Sequence, residues 1–148
     1  MKEKFRVVEN PEIGELLTFK PNRNLPVYNW FHYKEGFSRD LVFMLLERFL
    51  RESKGAEKLV LDPFCGVGTT LLACREYTGI RGNRIINALG FDVLPISVFV
   101  SRVKLRDYDV KELETAAKRL FKLKFTKPAI NVPQFVRKYF SRFVLEDI

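Results

Sequence analysis

Histidine is nearly absent from this chain and cysteine is scarce. Its 148 residues include one histidine, His32, and two cysteines, Cys65 and Cys74. Three such side chains make neither a zinc site nor a disulfide framework, so no bound metal is expected. Long apolar runs are missing too: no stretch approaches the ~20 residues that span a bilayer. The first residues, MKEKFRVVENPEIGE, lack the apolar core of a secretion signal. The expected location is therefore cytoplasmic, with no membrane partner. Internal repeats and low-complexity tracts are also lacking.

What is present suits a globular domain. Apolar residues make up 47% and charged residues 30%, which excludes disordered and fibrous classes. The length fits one domain with a real core. The net charge of +8 is unevenly spread. Residues 1–100 hold 14 basic and 12 acidic side chains, whereas residues 101–148 hold 12 and 6. A basic C-terminal third fits a polyanion such as nucleic acid. It fits a plain solvated surface equally well.

Residues 1–25 read as an irregular N-terminal segment punctuated by Pro11, Gly14 and Pro21. Residues 26–33, PVYNWFHY, are aromatic-rich and predicted to be extended. Gly36-Phe37-Ser38 looks like a turn with Ser38 as N-cap of a helix over 39–52, where Leu41, Val42, Leu45, Leu46 and Phe49 recur at helical spacing. Ser53-Lys54-Gly55 ends it. Residues 58–62, KLVLD, read as a buried strand. A glycine-bearing loop, a helix over 68–77 and a loop over 79–84 follow. Residues 85–92 read as a second strand, and Pro95 opens a helix that runs on over 96–104. Another helix is predicted over 110–123, and a last one over 134–146 after the breaks at Pro128 and Pro133.

This alternation predicts an α/β fold with a parallel sheet. Two strands are too few for such a sheet, and none is clear in 120–132. The sheet therefore reads as incomplete, to be completed by another chain or a second copy. An exposed sheet edge favours such self-association.

The stretch 59–70, LVLDPFCGVGTT, is the most informative. A hydrophobic strand ends in an acid, enters a Gly-x-Gly turn and passes into a helix. That arrangement offers backbone amides and a helix N-terminus to a ligand at the carboxyl end of a strand. Gly66 and Gly68 let the main chain come close to it, and Thr69 or Thr70 can cap the helix. A P-loop is excluded because no Gly-Lys-Ser/Thr follows. A dinucleotide fingerprint is excluded because Leu71 stands where a third glycine belongs.

Asp62-Pro63-Phe64-Cys65-Gly66-Val67-Gly68-Thr69-Thr70 resembles the S-adenosylmethionine-binding motif of DNA methyltransferases that modify exocyclic amino groups, N4 of cytosine or N6 of adenine. It resembles related RNA amino-methyltransferases, such as those acting on a tRNA guanine, almost as well. Two flanking segments extend the resemblance over residues 26–104. PVYNWFHYKEGFS, 26–38, is similar to the family segment that closes over the methionine end of the cofactor. It favours DNA over RNA, as does the lack of room for an N-terminal RNA-binding domain. GFDVLPISVFVSRVK, 90–104, is similar to the next strand and helix.

The resemblance implies S-adenosylmethionine as cofactor and a partial Rossmann-like methyltransferase fold. It implies DNA as partner of the complete enzyme, as in restriction-modification systems. It assigns Trp30, Phe31 and Tyr33 to the closing segment and places Asp62 near the methionine amine. Pro63, Phe64, Cys65, Gly66, Gly68, Thr69 and Thr70 form the loop, Asp92 takes the ribose, and Val93 and Leu94 flank the adenine. A carboxylate at a strand end also suits a ribose diol on physical grounds. Plainer roles stand beside these: core packing for the aromatics, a helix cap for Asp62, a surface acid for Asp92, a small loop residue for Cys65.

The family's catalytic motif, (Asp/Asn/Ser)-Pro-Pro-(Tyr/Phe), whose aromatic ring stacks on a flipped base, does not occur. Asn131-Val132-Pro133-Gln134 lacks both its first proline and its aromatic. No catalytic residue is therefore assigned, and the chain alone is expected to be inactive. The resemblance places that motif beyond residue 148, so the methyltransferase-like domain over 26–148 is expected to be truncated on its C-terminal side: a piece of a longer chain, one half of a split enzyme completed by a possible second polypeptide, or a decayed remnant. A non-catalytic accessory module is a further alternative. Phe121, Phe125, Phe135, Tyr139, Phe140 and Phe143 lie in the basic C-terminal third. There Phe135, Tyr139 and Phe143 recur at i, i+4 and i+8, which favours an amphipathic face that makes buried contact with the missing half over a nucleic-acid face.

Overall fold

The computed structural model describes residues 9–50, 57–81, 85–124, 132–141 and 144. The chain divides into two compact units, Met1–Arg106 and Asp107–Ile148.

The first unit opens with short 3₁₀ turns at Pro11–Ile13, Glu15–Leu17 and Lys20–Asn24, and a fourth at Tyr28–Trp30. This corrects the extended reading of 26–33. Helix α1, Arg39–Leu50, follows, then strand β1, Glu57–Asp62, and helix α2, Thr69–Arg81. Strand β2, Ile85–Gly90, and helix α3, Pro95–Leu105, complete the unit. The helix α2 runs through Gly79 to Arg81, where the sequence suggested a loop. A Cβ at Gly79 would meet no atom, so this glycine costs the helix little beyond its backbone entropy. The predicted stop at Ser53-Lys54-Gly55 lies outside the described residues.

Strands β1 and β2 pair in parallel, with Leu59 opposite Asn87 and Asp62 opposite Gly90. On one face Val60, Ile86 and Ala88 pack against Val42, Leu46 and Leu50 of α1 and Ala73, Cys74 and Tyr77 of α2. Phe43 meets the Tyr77 ring edge-on. The other face is bare. Leu59 is 70% and Leu61 60% exposed, with Ile85 and Leu89 beside them. The run KLVLD is thus half-buried rather than buried, because α1 and α2 cover only one side. Among the described residues these are the only two strands.

The start of α1 is fixed from two sides. Ser38 Oγ accepts from the Leu41 amide at 3.1 Å, the predicted N-cap. Fully buried Asn22 adds a second device: its Oδ1 accepts from the Arg39 amide at 2.8 Å and its Nδ2 donates to the Phe37 carbonyl at 2.9 Å. The irregular N-terminal segment therefore braces the first helix.

The second unit holds helix α4, Val110–Leu120, and the single turn α5, Gln134–Arg137. Asp109 caps α4 by accepting from the Glu112 amide at 3.0 Å. In the α5 region, Phe135 and Tyr139 are exposed, but the helix expected over 134–146 ends at Arg137, so they do not form the expected helical stripe. The helix is too short to align them: the Tyr139 amide already turns back to Val136. Phe125, Phe143 and most of 138–146 lie outside the described residues or outside α5. No helix among the described residues is long and apolar enough to cross a membrane.

Asn22→Ala strips two part-buried backbone groups of their partner, at a cost of about 3 kcal/mol. A urea unfolding midpoint lowered to match is the expected result, and an unchanged midpoint would show that Asn22 does not brace α1.

Candidate functional site

The carboxyl ends of the two parallel strands set the site. Strand β1 ends in Asp62, whose carbonyl accepts from the Phe91 amide at 3.0 Å; the Phe91 carbonyl in turn accepts from the Cys65 amide at 2.9 Å. The chain leaving β2 is thereby stitched to the loop leaving β1. Strand β2 has room for this approach only because it ends in glycine: a Cβ on Gly90 would lie 2.8 Å from Cys65 Cβ and from Leu71 Cδ1.

Two acids frame the loop. Asp62 Oδ1 accepts from the Phe64 amide at 3.1 Å, and its Oδ2 from the Thr70 hydroxyl at 2.5 Å. Thr70 is therefore turned to Asp62 within the first turn of α2. Asp92 Oδ2 accepts from the Gly66 amide at 2.8 Å, and its Oδ1 from the Leu94 amide at 2.8 Å. Asp92 is thus a loop staple as well as a strand-end acid. Each carboxylate has about four acceptor positions, so each retains some for a ligand.

The glycines are required where they stand. Gly66 has φ +49° and Gly68 φ +80°, in the region that side chains avoid. Gly68 also lies against α3, where an added Cβ would sit 2.8 Å from Ser101 Oγ. Ser101 donates to the Gly66 carbonyl at 2.9 Å. Cys65 is buried in the loop, and burial, with the negative charges of Asp62 and Asp92, pushes its thiol up. Burial pushes Cys74 up to about 11. Both thiols are protonated near neutrality and poor nucleophiles.

The aromatic segment reaches the loop through one ring. A Cβ on Gly66 would lie 3.1 Å from Tyr33 Cε1, so Tyr33 packs on the loop itself. Trp30 and Phe31 are exposed instead of forming core. Phe64 is 83% and Val93 92% exposed, and Leu94 is exposed as well, so the apolar side chains that follow the two acids along the chain stand open. Pro63 is exposed in the turn, while Thr69 is buried at the start of α2.

Residues 25–80 match the family model described as DNA methylase. The chain is 37% identical over 130 residues to the Type II methyltransferase M.BsoBI of Geobacillus stearothermophilus, covering 85% of this chain and 24% of that protein. It is 39% identical over 103 residues to M.AvaI of Nostoc sp. (70% and 19%), and 34% identical over 100 residues to M.MjaII of Methanocaldococcus jannaschii (68% and 17%). The chain belongs to the DNA methylase family. It spans about a quarter or less of the length of these curated relatives. No solved structure matches it. The paired strands and flanking helices of this DNA methylase chain are part of an α/β methyltransferase fold.

Sequence reasoning missed several residues that hold this site. Gly90 carried a signal, being a glycine within a strand pattern. Ser101 and Lys104 carried none, since their partners lie 35 and 76 residues away. Lys104 on α3 is only 4% exposed, and its Nζ donates to the Tyr28 carbonyl at 3.2 Å. Tyr28 is buried as well, and its hydroxyl donates to Glu76 at 2.8 Å. Glu76 also pairs with Arg39 at 3.1 Å.

Burial pushes the Lys104 ammonium down to about 8 from its ordinary 10.5. Burial opposes the charged form, so the folded state loses stability to this group at pH values below about 8. The loss is relieved as pH rises towards 10.5. Wild type should therefore gain stability relative to Lys104→Met between pH 7.5 and 10, as read from paired urea titrations. A difference that stays flat across that range would contradict the assignment.

Proposed function

We propose that this chain is the S-adenosylmethionine-binding portion of a DNA methyltransferase acting on an exocyclic amino group. The observation that carries the reading is the pair of acids, Asp62 and Asp92, framing a positive-φ glycine turn at the ends of two parallel strands. The chemistry of these groups fits the cofactor. A ribose diol donates hydrogen bonds, and Asp92 keeps acceptor positions for it. The methionine amine and the sulfonium are cationic, and Asp62 offers opposite charge. Val93, Leu94 and Phe64 give apolar contact for an adenine, and Trp30, Phe31 and Tyr33 serve as cover. Pro63, Cys65, Gly66, Gly68, Thr69 and Thr70 shape the loop. When bound, the cofactor supplies an electrophilic methyl group; the chain's residues bind and orient it.

DNA is the proposed substrate of the complete enzyme. We infer that completion requires a further polypeptide segment carrying an (Asp/Asn/Ser)-Pro-Pro-(Tyr/Phe) motif, joined to this chain or separate. Two facts support this: the chain matches a quarter or less of its relatives' length, and the apolar face of Leu59, Leu61, Ile85 and Leu89 is bare. Parallel sheets are ordinarily covered on both faces. Pairing of two copies through the same face is a second way of covering it, and sedimentation of the chain alone separates the two.

Calorimetric titration should give saturable one-site binding of S-adenosylmethionine, weakened at least tenfold by Asp92→Ala, in keeping with a loss of ~1.5–3 kcal/mol for hydrogen bonds to a charged group. Folded wild-type protein that takes up no cofactor would sink the reading. The 148-residue chain alone should transfer no labelled methyl group to DNA, and transfer should appear once the motif-bearing segment is added.

A further inference from the structure

The turn that leads into the aromatic segment is strained. Val27 has φ +68° and ψ −46°, and the Tyr28 amide donates to the Pro26 carbonyl at 2.8 Å. This is a γ-turn with positive φ, a rare and costly conformation, here on a β-branched residue. Such strain persists only where the surroundings over-determine it.

Tyr28 is where the surroundings act. Its hydroxyl is tied to Glu76 on α2 and its carbonyl to Lys104 on α3. Immediately after it, the chain makes the 3₁₀ turn Tyr28–Trp30, then extends at Phe31 towards Tyr33 on Gly66. Two bonds on one buried residue thus aim the start of the segment, where Trp30 is 56% exposed; further along, His32 meets the Phe19 ring edge-on and Tyr33 packs on Gly66. Of the two anchors, Lys104 is the expensive one. Burying an ammonium against a single carbonyl costs stability that a methionine of similar length would not. Neither packing nor stability accounts for a lysine here, whereas its reach to the Tyr28 carbonyl does.

We propose that Lys104 is a positioning residue: its buried ammonium fixes the Tyr28 carbonyl, locks the strained Val27 turn and so holds the segment Trp30–Tyr33 over the glycine loop. Its link to cofactor affinity rests on the reading of the site given above; its hold on the segment does not. The ammonium of Lys104 donates to the Tyr28 carbonyl, and it acts through Tyr28. The segment is a cover held ready by a charge placed behind it.

Trp30 is the chain's single tryptophan and sits in the segment, so its fluorescence reports the segment directly. In cofactor-free protein at pH 7, Lys104→Met should raise the acrylamide quenching constant of Trp30 about twofold, and Lys104→Arg should return it most of the way. The thermal midpoint of Lys104→Met should not fall, a combination that a merely structural lysine would not give. Affinity for S-adenosylmethionine should drop about tenfold in Lys104→Met. Quenching that stays at the wild-type value in folded Lys104→Met overturns the proposal, as does unchanged affinity in a variant whose Trp30 has loosened. Should Lys104→Met not fold, Lys104→Gln serves for the same measurements. A wild type that binds no cofactor sinks the cofactor reading, while the quenching comparison still decides whether Lys104 holds the segment.

Discussion

Asp92 leaves the end of β2 with both oxygens engaged, one by the Gly66 amide and the other by the Leu94 amide. The rest of the site depends on that arrangement. Gly66 and Gly68 can adopt positive φ, but nothing in a glycine makes it do so, since it loses more backbone freedom on folding than any other residue. The carboxylate supplies the reason. It fixes the turn from one side while Ser101 holds the Gly66 carbonyl from the other. The loop is held rigid before any ligand arrives, which spares a ligand the ordering cost.

The same economy governs the layers around it. Helices α1 and α2 bury Val60, Ile86 and Ala88, and with them one face of the two-stranded sheet. The opposite face presents Leu59, Leu61, Ile85 and Leu89 to solvent. A two-stranded parallel sheet with one face apolar and uncovered is part of an α/β layer structure rather than the whole of one. The chain's match to a quarter or less of the length of known Type II methyltransferases agrees with that.

Local features of the fold were legible in the sequence. Ser38 capped its helix as expected, because a cap depends on residues three apart. The turn around Gly66 and Gly68 was legible for the same reason, and Asp92 stood at a strand end, as its place after an apolar run implied. The family resemblance then pointed to chemistry that spacing could not. What stayed hidden depends on distant partners. KLVLD looked buried, since no pattern in five residues tells which sheet face has a helix to cover it. PVYNWFHY looked extended, yet it forms a γ-turn and a 3₁₀ turn under the hold of Glu76 and Lys104. The aromatic spacing of 135, 139 and 143 pointed to an amphipathic helical face for a missing partner, but the helix that would align it is one turn long.

The central claim is that a ligand seats between Asp62 and Asp92 on the glycine turn. The most direct test is an amide proton–nitrogen spectrum of labelled chain during titration with S-adenosylmethionine. The account predicts that the largest shifts fall on Phe64, Gly66, Gly68 and Leu94, the amides of the turn and of the loop beside it. Shifts that leave these unmoved and gather elsewhere would contradict it.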